Sequence, residues 1–105
     1  MSVLVLIEAR AKPEMRDELR AFLQGNMHEI SSSPGNESVA FHSQFDDPNV
    51  LLFVEYWDNR ESYDKYLAWR YERGDHARMV AMMDGEVSVR VFDILATSPN
   101  AGLSV

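Results

Sequence analysis

Apolar positions set two rhythms along the chain. Val3 to Ala11 is a run rich in branched aliphatics and reads as a strand. After it Met15, Leu19, Phe22, Leu23 and Ile30 recur at helical steps, while Arg16, Asp17, Glu18 and Arg20 point elsewhere, which predicts one helix from Pro13 to about Ile30. Pro13 suits a first turn because its missing N–H needs no partner there. The stretch SSSPGNE, Ser31 to Glu37, ends that helix with proline and glycine together. Two strands follow, Ser38 to Phe45 and Val50 to Trp57, joined by the polar turn DDPN, Asp46 to Asn49. Asn59 can cap a helix with Tyr63, Tyr66 and Leu67 on its apolar positions and Arg60, Glu61, Asp64 and Lys65 on its exposed ones. Gly74 reads as a helix end and Asp75 as a fresh N-cap, so a short helical segment is expected over His76 to Met83. Asp84-Gly85 then turns the chain into a last strand, Glu86 to Leu95, before a turn-prone tail.

The order strand, helix, strand, strand, helix, strand is the ferredoxin-like βαββαβ arrangement, an α+β fold in which both helices cover one face of a four-stranded antiparallel sheet. A single domain over residues 1–105 is expected, with its core from about 3 to 95. The strand faces add a further inference. Val50, Leu52, Val54 and Tyr56 lie on one side of the third strand, Leu51, Phe53 and Trp57 on the other with Glu55 as the exception, and Val3 to Ile7 is apolar on both sides. A sheet face that met water should be polar. The simplest cover for it is the same sheet of an identical subunit, in a two-fold homodimer.

Composition narrows the function classes. With 105 residues and 46% apolar side chains the chain can bury roughly two thirds of its unfolded surface without staples. It has no cysteine, which removes disulfides, thiolate metal sites and cysteine nucleophiles together. A net charge of -7, spread over both halves, argues against nucleic acid, since neutralising phosphates needs a basic face. The apolar run Val3 to Ile7 is short and has no basic residue before it, so neither a signal peptide nor a membrane span is expected. The expectation is a soluble, cytoplasmic protein.

Familiar catalytic and metal motifs are absent. His28, His42 and His76 are far apart, and HEI at His28 lacks the second histidine of a zinc helix. No glycine cluster forms a phosphate cradle and no G-x-S-x-G elbow is present. The informative region is YLAWRYERGDHARMVAMM, Tyr66 to Met83. His76 falls on the same helical side as Met79, Val80 and Met83, the side expected to face the sheet. It reads either as a structural histidine bonded to a carbonyl or carboxylate, or as a group able to exchange a proton near neutral pH. Tyr63 and Tyr66 read either as core or as the wall of an aromatic slot with hydrogen-bond donors. Arg70, Arg73 and Arg78 are either solvated or partners for an anionic ligand group. Met79, Met82 and Met83 read as adaptable core filler.

Three stretches, EARAKPEMRDELRAFL, SSSPGNESVAFHSQFDDPN and FVEYWDNRESYDKYLAWR, together resemble the antibiotic biosynthesis monooxygenase family over nearly the whole chain, Val3 to about Leu95. The likeness is carried by Lys12-Pro13-Glu14, Pro34-Gly35, Asp47-Pro48 and Glu55-Tyr56-Trp57 in that order. It implies a dimeric α+β barrel with a pocket between helices and sheet in each subunit. In the polyketide-oxidising members oxygen is used without metal or flavin: a phenol or quinol is deprotonated and the electron-rich anion reacts with O2. In that frame Trp57 and Tyr63 fall on an implicated tryptophan and tyrosine, and Phe53 on a strand asparagine. A second branch degrades haem with an asparagine, a tryptophan and an iron-binding histidine. The same frame puts His76 on the histidine, Tyr66 on the tryptophan and Ile7 on the asparagine, a single match that ranks haem chemistry lower.

The resulting expectation is a cofactor-independent monooxygenase-like protein that oxidises a phenolic, quinol or polyketide-type small aromatic molecule with O2. Its catalytic candidates are His76, Tyr63 and Trp57, with Tyr66, Trp69, Arg70, Arg78, His42 and Phe53 as substrate-binding candidates. The competing expectation is a dimeric ligand-binding module without turnover, because fold does not fix function.

Overall fold

The computed structural model describes residues 2–98. Four strands form one antiparallel sheet in the order β2-β3-β1-β4, with β1 (Val3–Arg10), β2 (Asn36–Gln44), β3 (Asp47–Trp57) and β4 (Ser88–Asp93). Four helices lie among them: α1 (Arg16–Gln24), α2 (Met27–Ser32), α3 (Arg60–Arg73) and α4 (His76–Ala81). This is the ferredoxin-like α+β arrangement read from the apolar pattern. Most of the expected tail beyond residue 96 lies outside the described residues. Among those described, no helix is long and apolar enough to cross a membrane.

The register separates the two faces of the sheet. Val5 pairs with Glu55 and Ile7 with Phe53, while Leu4 pairs with Tyr56 and Leu6 with Val54. Cross-strand partners share a face, and alternate residues change face. Val3, Val5, Ala9, Leu51, Phe53, Glu55 and Trp57 are therefore the helix side, and all are buried. On the opposite face Leu4, Leu6, Leu52 and Val54 are half-buried, and Tyr56 and Phe92 are exposed. Removing side chains such as Leu19, Leu51 and Val5 from water contributes about 1.5–3 kcal/mol each.

Three sequence expectations are corrected in detail. The helix expected from Pro13 to Ile30 is a 3-10 turn at Pro13–Met15 followed by α1 and α2. The Asn26 N–H bonds to the Leu23 carbonyl at 3.0 Å, a tightened turn that stops α1, and the Ile30 N–H bonds to the Asn26 carbonyl at 3.1 Å as α2 begins. The break turns Asn26 inward, where it is buried. The β2–β3 turn is shorter than expected: Gln44 pairs with Asp47, leaving Phe45 and Asp46 at the tip, and a bulge between Ser43 and Gln44 takes up the register. Asp75 makes no side-chain cap for α4, because its carboxylate is directed to Arg70 and Arg73 instead.

Other local expectations agree with the structure. The Asn59 side chain accepts a hydrogen bond from the Ser62 N–H at 2.9 Å, and Gly74 ends α3 in the left-handed conformation with φ 81°. Gly35, φ 90°, links α2 to β2, and its carbonyl accepts from the Asp58 N–H at 2.8 Å. A Cβ there would stand 2.5 Å from the Ser62 side chain, whereas one at Gly74 would meet nothing within 4 Å. Gly35→Ala is therefore expected to lose about 2–3 kcal/mol in urea unfolding, from backbone strain plus the clash, and Gly74→Ala only about 1 kcal/mol. Equal losses at the two positions would mean that Ser62 gives way.

Candidate active site

Alternation along β3 is what places the chemistry. Leu51, Phe53, Glu55 and Trp57 all turn toward the helices, so a carboxyl group stands in an otherwise apolar row. Glu55 and Trp57 are fully buried. The Trp57 indole Nε1–H donates to Glu55 Oε1 at 2.9 Å, and Glu55 Oε2 has no hydrogen-bond partner. Trp57 is held by two rings of α3, Tyr63 at 5.7 Å edge-on and Tyr66 at 5.5 Å, between ring centroids. These contacts follow from the helical repeat, which puts Tyr63, Tyr66 and Arg70 on one side of α3.

In front of Glu55 lies a cavity of about 120 Å3. Its floor is Ile7, Ala9, Phe53 and Glu55 of the sheet, and Tyr63, Tyr66 and Arg70 form one wall. Asn26 and Ile30 line it from the broken helix, and Asp75, His76 and Met79 close it from α4. Tyr71 and Val89 belong to the same lining and are exposed, so they mark its edge toward solvent. The His76 ring is half-buried and packs against Tyr71 at a tilt of 55°, with centroids 4.9 Å apart.

Burial governs the protonation of this site. Desolvation lifts the Glu55 carboxyl from 4.5 to about 7, against the smaller opposing pulls of the Trp57 hydrogen bond and the Arg70 charge. Burial, and then the Glu55 charge, holds the Tyr63 phenol above its ordinary value. Tyr66 is raised by burial too, with Arg70 opposing. Both phenols are consequently neutral hydrogen-bond donors near pH 7, beside a carboxyl that changes charge there.

Behind Tyr66 an ionic cluster joins three helices. Arg70 lies 3.5 Å from Glu29 of α2 and 3.7 Å from Asp75 at the start of α4. Arg73 contacts the same two carboxylates, reaching Asp75 at 3.2 Å. Two cations meet two anions, so the cluster is neutral. Even so, Arg70 Nη1 and Asp75 Oδ1 are buried without a hydrogen bond, as are Glu55 Oε2 and the Tyr63 hydroxyl. Four of the five such atoms among the described residues thus belong to residues that line this one cavity.

The family model for antibiotic biosynthesis monooxygenases matches residues 2–71. The chain belongs to the antibiotic biosynthesis monooxygenase family. Solved structures agree at the level of fold. Rv0793 from Mycobacterium tuberculosis is 20% identical with a TM-score of 0.84, and the match covers 93% of this chain and 99% of that one. A variant of SnoaB from Streptomyces nogalater, a cofactor-independent oxygenase, is 13% identical with a TM-score of 0.79 over 93% and 97% of the two chains. An antibiotic biosynthesis monooxygenase of known structure is 18% identical with a TM-score of 0.80, covering 90% of this chain and 99% of that one. No curated protein matches the sequence.

Within this family member the residues singled out in sequence separate into two groups. His76, Tyr63, Tyr66, Arg70 and Phe53 line the cavity, and Trp57 stands behind it in contact with both tyrosines. Trp69, Arg78 and His42 do not reach it. Trp69 lies beyond Tyr66 in a separate groove with His28 and Glu29, beneath the Arg73 guanidinium. Arg78 covers the Phe22 ring, and exposed His42 sits on the opposite sheet face across from Leu52. The two positions aligned with family asparagines, Ile7 and Phe53, are cross-strand partners on the cavity floor, and both are apolar. The polar group of that floor is Glu55, which sequence reading recorded as an exception to the apolar pattern without assigning it a role. Asn26 and Asp75 were also missed as lining residues; nothing in their local pattern marks them.

The haem reading fits this cavity poorly. A porphyrin carries four pyrrole rings, and pockets for large ligands run to about 300–1,000 Å3, well beyond the about 120 Å3 found here.

The raised Glu55 value implies a pH-dependent stability of definite sign. The folded state keeps the Glu55 proton up to about 7 and the unfolded chain releases it near 4.5, so the folded state is favoured below that window and loses the advantage as pH rises through it. Glu55→Gln should therefore gain stability relative to wild type between pH 4.5 and 8, by about 3 kcal/mol at most. Urea unfolding of both proteins across that range checks it, and a difference that stays constant with pH would separate Glu55 from the titration.

Proposed function

We propose that this chain is a monooxygenase that oxidises a phenolic or quinol substrate with O2 and brings no metal or flavin of its own to the reaction. The observation that carries this reading is the buried carboxyl of Glu55, with one oxygen held by Trp57 and the other free, at the floor of an aromatic-walled cavity. A carboxylate in that position accepts the proton of a substrate hydroxyl, and its raised value brings it near the operating pH, where general-base catalysis is most efficient. The neutral Tyr63 hydroxyl donates to the phenolate oxygen so formed. Arg70, though paired, adds positive potential, and His76 guards the exposed edge.

The stoichiometry closes with oxygen as the sole co-reactant. A quinol gives up two electrons in becoming a quinone and two more when a ring C–H is exchanged for C–OH. One oxygen atom of O2 forms the new C–O bond, the O–O bond breaks, and the other atom leaves as water with the two protons released. SnoaB, described as a cofactor-independent oxygenase, supports this chemistry by fold alone. The second reading, a binding module without turnover, is supported by the apolar Ile7–Phe53 pair at the two positions where the family frame has asparagine.

Oxygen uptake on a panel of quinols and naphthols tests the reading. Glu55→Gln is expected to lower kcat by at least about 100-fold, and wild-type kcat/KM is expected to rise with pH through an apparent value near 7 as Glu55 ionises. The groups facing Glu55 are Tyr63, Tyr66 and Arg70 of α3, with Asp75 and His76 on the α4 side; the flanking strands contribute only apolar side chains. His76→Ala should retain that pH profile. If Glu55→Gln consumed oxygen at the wild-type rate, the base assignment would be lost; if no panel member were oxidised by wild type, the binding-module reading would stand instead.

We also propose a two-fold dimer through the open sheet face. Half-buried Leu4, Leu6, Leu52 and Val54, with exposed Tyr56 and Phe92, form an apolar surface that no helix among the described residues covers. Light scattering on a sizing column at micromolar concentration should give twice the chain mass of 12.0 kDa. Val54→Glu, which sets a charge on that face, should shift the protein toward monomer.

A further inference from the structure

The dimensions and polar atoms of the cavity say more about its ligand than its aromatic walls do. A void of about 150 Å3 in a protein core holds one benzene, and this one is about 120 Å3. A single ring is thus the limit unless α4 moves. The buried atoms without a hydrogen bond fall into two pairs. Glu55 Oε2 and the Tyr63 hydroxyl, an acceptor and a donor, belong to side chains that both contact Trp57. Arg70 Nη1 and Asp75 Oδ1 form the other pair, again a donor and an acceptor, each held only in a long ion-pair contact, Nη1 at 3.5 Å from Glu29 and Oδ1 at 3.7 Å from Arg70 Nη2. Seven residues of helix set Arg70 roughly 10 Å along the axis from Tyr63, so the pairs stand toward opposite ends of the cavity.

A donor beside an acceptor is what a hydroxyl requires, because it donates one hydrogen and accepts through its lone pairs; a carbonyl or a carboxylate only accepts. Charge points the same way. Arg70 and Arg73 are already matched by Glu29 and Asp75, so the carboxyl of Glu55 has no free guanidinium opposite it to hold an anionic ligand. We propose that the cavity binds a neutral, single-ring para-diphenol, one hydroxyl between Glu55 and Tyr63 and the other between Arg70 and Asp75, and selects against larger fused-ring quinols. This rests on the monooxygenase reading of the same site and deepens it to a substrate class.

Anaerobic calorimetric titration of wild type separates the parts of the claim. Hydroquinone is expected to bind at least tenfold more tightly than phenol, catechol, 4-hydroxybenzoate or 1,4-naphthohydroquinone, because each control leaves a buried polar pair unmet, carries a charge or exceeds the volume. Asp75→Ala should abolish the preference for hydroquinone over phenol, whatever it does to α4, and Asp75→Asn, which keeps an oxygen acceptor, should restore that preference; a preference for hydroquinone that survived in Asp75→Ala would overturn the second contact. Equal binding of phenol or catechol would overturn the two-ended pairing, equal binding of 4-hydroxybenzoate the neutrality, and equal binding of the naphthohydroquinone the one-ring limit. Oxygen uptake in air keeps this distinct from the broader reading. Oxidation of fused-ring quinols with no hydroquinone binding would sink the present proposal alone, and hydroquinone bound without oxygen uptake would sink the monooxygenase reading alone.

Discussion

A carboxyl group on the apolar face of a central strand is the constraint around which the rest of this structure is arranged. Glu55 is fully buried between the sheet and the helices, and removing its charge from water costs more than the single Trp57 hydrogen bond returns. The result is a carboxyl lifted to about 7 rather than one fixed as an anion. Trp57 cannot turn away, because Tyr63 and Tyr66 pack on its ring from α3. The same tyrosines exclude water from Glu55, so the packing that orients the carboxyl also perturbs it.

Access to Glu55 depends on short helices joined by charge rather than by a broad apolar seam. None of the α4 residues is fully buried. The helix is held at its start by Asp75, which meets Arg70 and Arg73, and both arginines also meet Glu29 of α2. Arg70, with little exposure, is the inner member of that cluster, and its charge still reaches Glu55. The segments that close the cavity are therefore tied to one another by ion pairs that desolvation strengthens, while the sheet beneath them is tied by hydrogen bonds and apolar contact.

The sheet itself has two apolar faces with different tasks. The helix side carries the cavity floor, where Ile7 and Phe53 stand beside each other and Glu55 supplies the polarity. Among the described residues nothing covers the opposite side, and Leu4, Leu6, Leu52 and Val54 meet solvent there in part. Shifting β3 by one residue would exchange these faces and put Glu55 outside. The antiparallel register with β1 and β2 is thus as necessary to the site as any residue in it.

Much of this was written in the sequence. Period-two and helical patterns determined the order of elements, the two faces of β3, the Asn59 cap and the left-handed end at Gly74, because each depends on neighbours within a few residues. The family followed from short motifs that span most of the chain. The aromatic positions Trp57, Tyr63 and Tyr66 were also legible, since helical spacing alone brings Tyr63 and Tyr66 to one side. Other features depended on contacts between distant segments. The break at Gly25–Asn26 is a 3-10 hydrogen bond at a glycine that the helical spacing on either side overrode in the sequence, and it turns Asn26 into the cavity. Asp75 looked like a cap and became an ion-pair partner because Arg70 and Arg73 compete for it. Trp69, Arg78 and His42 have the right chemistry on the wrong surfaces, which composition cannot distinguish. Glu55 is the clearest case: the sequence by itself determined that a carboxylate interrupts an apolar strand face, but only the tertiary structure decided that this face is closed over by residues of all four helices, and burial, a property of the whole assembly of segments, is what gives the carboxyl its chemistry.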